Sequence, residues 1–230
     1  MIINFLAIIP ARKGSKRIKR KNLIKLGSKK LIEYTFVNSK KSKKINKILL
    51  SSNDSKILKL GKKFDLDFIL KRPEKISKDQ SSMEVVITDI IEYLKERRII
   101  VNNFVLLQPT TPFRSAKDID AMIDYYKKKR LKHCVSVSGS FTNSLEIFHS
   151  KSNLINLNQN KKFINNKHLF LNGSIYIFRV KSFLKNKKIY PSKVNYFIQG
   201  LNNSIDINNK LDFEIAKSLR NKIKGYEIKY

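Results

Sequence analysis

Residues 5–22 read FLAIIPARKGSKRIKRKN, and the fold turns on where this stretch changes character. Phe5–Pro10 is a continuous apolar run of the length expected for a buried strand. The following segment, Ala11–Asn22, carries seven Lys or Arg between Arg12 and Lys21, together with Gly14 and Ser15. A strand that empties into a Gly-containing cationic loop puts backbone N–H groups and side-chain cations at one strand end, where a small anion can be held. Arg12 can chelate phosphate oxygens bidentately, and Lys21 adds a mobile point charge. The loop is not of the Walker A type, because the G-x-x-x-x-G-K-[ST] spacing is absent.

The same strand character recurs outward from this point. Asn46–Ser52, Asp67–Leu70, Asn103–Gln108 and His133–Ser138 read as further strands. Between them, Ile57, Leu60 and Phe64 recur at helical spacing. Met83, Val86, Ile87, Ile90, Ile91 and Leu94 form a longer apolar face, and Ile119, Met122, Ile123 and Tyr126 form another. Ser115, three residues before Asp118, predicts a capping pair. This alternation predicts an α/β fold, a mostly parallel sheet with helices on both faces, with ligands beyond the carboxyl ends of the strands. The pattern fails after about residue 140. Residues 141–170 are polar and rich in Asn and Lys, and are read as a small β-rich insert within a single domain spanning 1–230. Gly173–Phe178 and Asn202–Ile207 restore strand-like regularity. A closing helix is expected, with Asn209 as its cap and Ile215, Leu219 and Ile223 on one face.

The formal net charge is +31, from 49 Lys and Arg against 18 Asp and Glu. Such a balance favours anionic partners. The lysines are spread along the whole chain among many Asn and Ile, however, so a compositional bias accounts for most of the charge. A nucleic-acid-binding protein is the distant rival; the chain lacks the RNA-binding aromatic signature and zinc-finger spacing. The apolar runs are too short to cross a bilayer. The N-terminal run has neither a basic segment before it nor a small-residue cleavage site after it, so neither a signal peptide nor membrane insertion is expected. The single cysteine, Cys134, excludes an internal disulfide framework and most zinc sites, and suits a reducing cytoplasm.

Five segments in order, AIIPARKGSKRIKRKN, LKRPEKISKDQSS, LLQPTTPFR, NGSIYIF and SIDINNKLDFEIA, resemble the acylneuraminate cytidylyltransferases, the CMP-sialic acid synthetase family, whose relatives activate pseudaminic and legionaminic acids. The likeness covers nearly the whole chain. Lys13, Arg17 and Lys19 stand where the family usually has small residues and a proline. The resemblance implies a nucleotide-diphospho-sugar transferase-like fold. It implies that Arg12 and Lys21 hold nucleotide phosphates with Gly14, Ser15 and Asn22 in support, and that Arg72 and the Ser81–Ser82 pair lie beside the nucleotide. Gln108, Asn172 and Gly173 would meet the sugar. Residue by residue, alternatives stay open. Arg72 also fits a surface position, Ser82 a helix cap, and Asn172–Gly173 a plain turn. Arg114 could reach an anion or a neighbouring carboxylate. The implied substrates are CTP and an acidic nine-carbon sugar. The products are a CMP-sugar for surface glycan synthesis and pyrophosphate. A Mg²⁺ cofactor and a homodimer formed through the insert are also implied.

One departure is chemically pointed. The family pattern has Asp-Ile-Asp where this chain has Asp206-Ile207-Asn208. Period-2 alternation would put Asp206 and Asn208 on one face of a strand. The family's two carboxylates hold Mg²⁺; here the implied metal ligands are Asp206 and Asn208, and an amide oxygen brings no charge. The implied catalytic residues are therefore Arg12, Lys21 and Asp206. A catalytically weakened homologue is an alternative, as is the same fold acting on an eight-carbon 3-deoxy acid sugar or using GTP. The stretch NKKFINNKHLFL also departs, because family members often carry arginines there that meet the sugar carboxylate and the partner subunit.

Overall fold

The computed structural model describes residues 1–139 and 169–220. The insert expected at 141–170 lies outside these residues except for its last two positions, and so does Ile223.

In chain order the elements are strand β1 (Ile2–Pro10), hairpin strands β2 (Lys25–Leu26) and β3 (Lys29–Lys30), helix α1 (Leu31–Lys41), β4 (Lys47–Ser52), α2 (Ser55–Lys63), β5 (Phe68–Lys71), α3 (Met83–Glu96), β6 (Ile100–Leu107), α4 (Ala116–Lys128), β7 (His133–Gly139), β8 (Leu169–Arg179), α5 (Val180–Asn186), β9 (Asn195–Ile198) and α6 (Lys210–Arg220). Seven strands form one sheet in the order β5-β4-β1-β6-β8-β7-β9. β1 runs parallel to β4 and β6, β4 to β5, and β7 to β9. Among the described strands of this sheet, β8 alone runs against its neighbours, β6 and β7. The α/β expectation therefore holds.

β1 shows why its residues read as an unbroken apolar run. Alternate side chains serve opposite faces. Ala7 and Ile9 pack with Ile32 and Phe36 of α1, Ile57 of α2 and Met122 of α4. Leu6 and Ile8 pack with Val86, Ile87 and Ile90 of α3 and Phe183 of α5. A strand covered by helices on both sides needs apolar residues at every position. Each such side chain contributes roughly 1.5–3 kcal/mol on full burial. Gly61 lets α2 lie close to the sheet, since a Cβ there would sit 2.4 Å from Leu50 Cδ2.

The predicted capping pair forms. Ser115 Oγ accepts from Asp118 N at 3.1 Å and Asp118 Oδ2 accepts from Ser115 N at 2.7 Å. Asn209 caps α6 by accepting from Asp212 N at 3.0 Å. One helix was missed and two expectations need correction. Helix α1 was not legible, because two of its five buried positions, Thr35 and Ser39, carry hydroxyls that blur the apolar period. Asn202–Ile207 is not a strand. It is a single 3-10 turn, Leu201–Asn203, followed by irregular chain whose Ile207 N donates to Thr110 O at 2.8 Å, so the segment rests on a loop and not on a sheet edge. On α6, Ile215 is exposed, and the helix docks instead through Phe213 and Ala216.

Candidate active site

The carboxyl ends of β1 and β6 open into a cleft of about 670 Å³ lined by Arg12, Lys21, Arg72, Gln108, Asp206 and Asn208. Gly14, Ser15, Asn22 and Ser81 also face it. The opening loop is held by specific bonds. Ala11 N donates to Ser51 O at 2.9 Å, Lys13 N to Asn53 Oδ1 at 2.8 Å, and Asn22 Nδ2 to Arg12 O at 3.1 Å. Ile18, the large apolar residue within the basic run, buries with Leu26, Leu31, Ile207 and Ala216. This small cluster ties the loop to the Asp206 segment from below, leaving the cations above it.

Arg72 is 4% exposed, so the surface reading fails. Its Nε donates to Ser51 Oγ at 3.1 Å and its Nη2 to Ser51 O at 2.9 Å. Burial pulls its pKa down to about 10, opposed by Asp89. Arg12 is paired with Asp79, whose other oxygen lies 3.1 Å from Lys16 Nζ. The hydrogen bond from Lys16, together with the charge of Arg12, holds the Asp79 carboxyl below its usual range.

Lys21 Nζ donates to Ile207 O at 2.7 Å, a contact across 186 residues. Desolvation lowers its pKa. Asp206 works in the opposite direction, and the nearby Arg17 and Arg12 reinforce the lowering. Asp206 Oδ2 accepts from Asn208 Nδ2 at 2.8 Å, so the two side chains do meet, although no strand places them. Asp206 Oδ1 is buried and has no hydrogen-bond partner among the described residues. An unmatched buried carboxylate oxygen is costly and calls for a cation or donor. The described residues contain no group of three or more His, Cys, Asp or Glu suited to a metal. One carboxylate and one amide fit a hard cation that takes its remaining ligands from phosphates and water.

Gly173 sits at φ +68°, where a Cβ would lie 3.4 Å from Gln108 Oε1 and 3.5 Å from Asp206 Oδ2. Glycine suits this left-handed φ, and the position lies against Gln108 and Asp206 of the cleft lining. Asn172 is different. It is 2% exposed, and its amide donates to Ser138 Oγ (2.9 Å) and Gln199 Oε1 (3.3 Å) while its oxygen accepts from Ser136 Oγ (2.6 Å) and Ser174 N (3.1 Å). With every donor and acceptor spent on the protein, Asn172 braces the wall and does not face the cleft. Ser82 is exposed and caps α3, accepting from Val85 N, while Ser81 is the member of the pair that lines the cleft. Arg114 forms an ion pair with no carboxylate among the described residues. It is 1% exposed and donates to Ser174 O (2.6 Å), Thr111 Oγ1 (2.8 Å), Thr35 Oγ1 (2.9 Å) and Gln108 O (3.2 Å), clamping the turn after β6 to β8 and α1. Burial pulls its pKa down to about 9, against Asp118.

Asp79, Lys16 and Ser51 gained no role from the sequence. The available signal for Asp79 was an acid directly after Lys78 in a segment that also carries Arg72 and Lys75.

A family model described as Cytidylyltransferase matches residues 6–226. The chain is 30% identical to the CMP-N,N'-diacetyllegionaminic acid synthase of Legionella pneumophila, over 94% of this chain and 96% of that one. It is 29% identical to the N-acylneuraminate cytidylyltransferase of Escherichia coli over 96% of its own length, and spans about half (53%) of that longer protein. Among solved structures it resembles a CMP:2-keto-3-deoxy-manno-octonic acid synthetase complexed with CTP, with a TM-score of 0.73 at 13% identity, covering 96% and 99% of the two chains.

Proposed function

The chain belongs to the cytidylyltransferase family, and on that premise we propose that it couples CTP to an acidic nine-carbon 2-keto sugar, releasing pyrophosphate. The carrying observation is the Lys21–Ile207 bond, which brings the cationic opening loop against Asp206 from the far end of the chain. The anomeric hydroxyl attacks the α-phosphorus, a new P–O bond forms, and the bond to the pyrophosphate oxygen breaks. Arg12 and Lys21 stabilise negative charge on the phosphates and on the leaving pyrophosphate. Arg72, fixed by Ser51, adds a cation that cannot swing away. Gln108 presents a side-chain amide able to donate to and accept from sugar hydroxyl and N-acyl groups.

Asp206, with Asn208 beside it, would hold Mg²⁺. When bound, that ion supplies charge neutralisation at the phosphates. The unpartnered Oδ1 of Asp206 supports this reading. The nonulosonic sugar class is supported by the names of the relatives in Legionella and Escherichia coli. A homodimer and a cytoplasmic setting complete the proposal; no helix among the described residues is long and apolar enough to cross a membrane.

The test is pyrophosphate release from four nucleoside triphosphates, each offered with sialic, legionaminic, pseudaminic and eight-carbon 3-deoxy acid sugars. CTP with a nine-carbon acid is expected to turn over. Release only with another nucleotide or with the eight-carbon sugar overturns the assignment. Asn208 supports a second reading, a weakened catalyst, for which CTP binds without turnover.

A further inference from the structure

Asp79 lies in the loop between β5 and α3, across the cleft from the opening loop. Its two carboxylate oxygens are divided between Arg12 and Lys16. Two oxygens of one anion meeting two cations of the opening loop is the arrangement a phosphate group would adopt there. Among the described residues the Asp79 side chain caps no helix and accepts from no backbone N–H, so no local structure accounts for it. The Asp79 and Arg12 side chains are 35% and 36% exposed, which puts the pair at the cleft mouth and not in the core.

We propose that Asp79 is an internal competitor for the nucleotide's phosphates, a carboxylate latch that joins the two walls of the cleft until a polyphosphate displaces it. The inference rests on the nucleotide reading given above. The latch is weak enough to open, because exposed ion pairs are marginal and a triphosphate brings about four negative charges against one. Arg12 and Lys16 are competent to bind phosphate only in the unlatched fraction, so the apparent affinity is reduced by that fraction. From the usual strength of exposed pairs the reduction is about two- to fivefold.

The experiment titrates inorganic tripolyphosphate and, separately, CTP into the wild type and Asp79→Asn by calorimetry at low ionic strength. The near-isosteric amide is expected to tighten both ligands about two- to fivefold, with the gain appearing in the KM for CTP and not in the KM for the sugar. Asp79→Glu is expected to restore the wild-type affinity. Unchanged or weaker binding by Asp79→Asn overturns the latch, weaker binding meaning that Asp79 orients Arg12 for the ligand. Tripolyphosphate binding that tightens in the variant, with no CTP turnover in the wild type, supports the latch while the cytidylyltransfer reading fails. Failure of the wild type to bind either ligand overturns both.

Discussion

At the amino-terminal ends of β1 and β6 lies a second cavity, about 1340 Å³, twice the volume of the cleft at the opposite ends of the same strands. Eight Lys or Arg line it and no acid does. Charge count and size alone favour it as the anion site. Five of its eight cations have another origin. In an α/β fold the helices run back against the strands, so their carboxyl ends gather at this pole, and cations there complement the helix dipoles. Lys95 and Arg98 follow from α3, Lys127 and Arg130 from α4, and Lys43 from α1. Arg98 and Arg130 occupy the left-handed positions, φ 54° and 52°, that end these helices. The smaller cleft has six cations and two acids, and it alone of the two is lined by a buried carboxylate oxygen without a partner. The number of charges says little about function. Convergence of loops from distant parts of the chain, with an unmet electrostatic demand at their meeting point, says more.

The comparison breaks most readily at Asp206. Asp206→Ala is expected to lower pyrophosphate release on the order of 10²- to 10³-fold, with the urea midpoint retained. Wild-type turnover would remove Asp206 from the site. Next in size is Arg114→Met, which strips four acceptors of their donor behind the cleft. It is expected to lower the unfolding free energy by about 1–3 kcal/mol, read by urea titration, and so separates what holds the cleft from what works in it. A subtler effect is expected in the pH profile. Burial lowers the Lys21 pKa, so the ammonium loses its proton below the ordinary lysine range. kcat/KM for CTP should therefore fall on the alkaline side earlier than an unperturbed lysine would allow, and Lys21→Arg should push that limb upward. Asn208→Asp adds charge beside Asp206 and is expected to lower the Mg²⁺ concentration for half-maximal rate, measured by Mg²⁺ titration. The smallest effect belongs to the other pole. Lys95→Ala combined with Lys127→Ala is expected to leave kcat/KM within about twofold.

Much of the fold was legible because buried parallel strands carry an unbroken apolar run, as Phe5–Pro10 does, and because capping chemistry is local, as at Ser115–Asp118 and Asn209–Asp212. Helix α1 was hidden because Thr35 and Ser39 are buried as hydroxyls. The segment around Asp206 was misread as a strand because alternation in sequence cannot distinguish a sheet ladder from an extended chain hung on Thr110. Within the site, residue type pointed to Arg12, Lys21 and Asp206. It could not tell Asn172, which is sealed by bonds to Ser136, Ser138, Ser174 and Gln199, from Gly173, which lies against Gln108 and Asp206 at φ +68°, because most of those partners lie far along the chain.

The sequence by itself determined the α/β alternation and the cationic loop after the first strand, since each depends on residue type and near-neighbour spacing, while its resemblance to the family marked Asn208 as standing where a second carboxylate is usual. Tertiary structure alone decided that Lys21 reaches Ile207, that Asp79 sits on Arg12 and Lys16, and that the carboxyl ends of α1, α3 and α4 bring their cations to the larger cavity. Those relations join residues far apart in the chain, and only the packing of helices on both faces of the sheet fixes the distances between them.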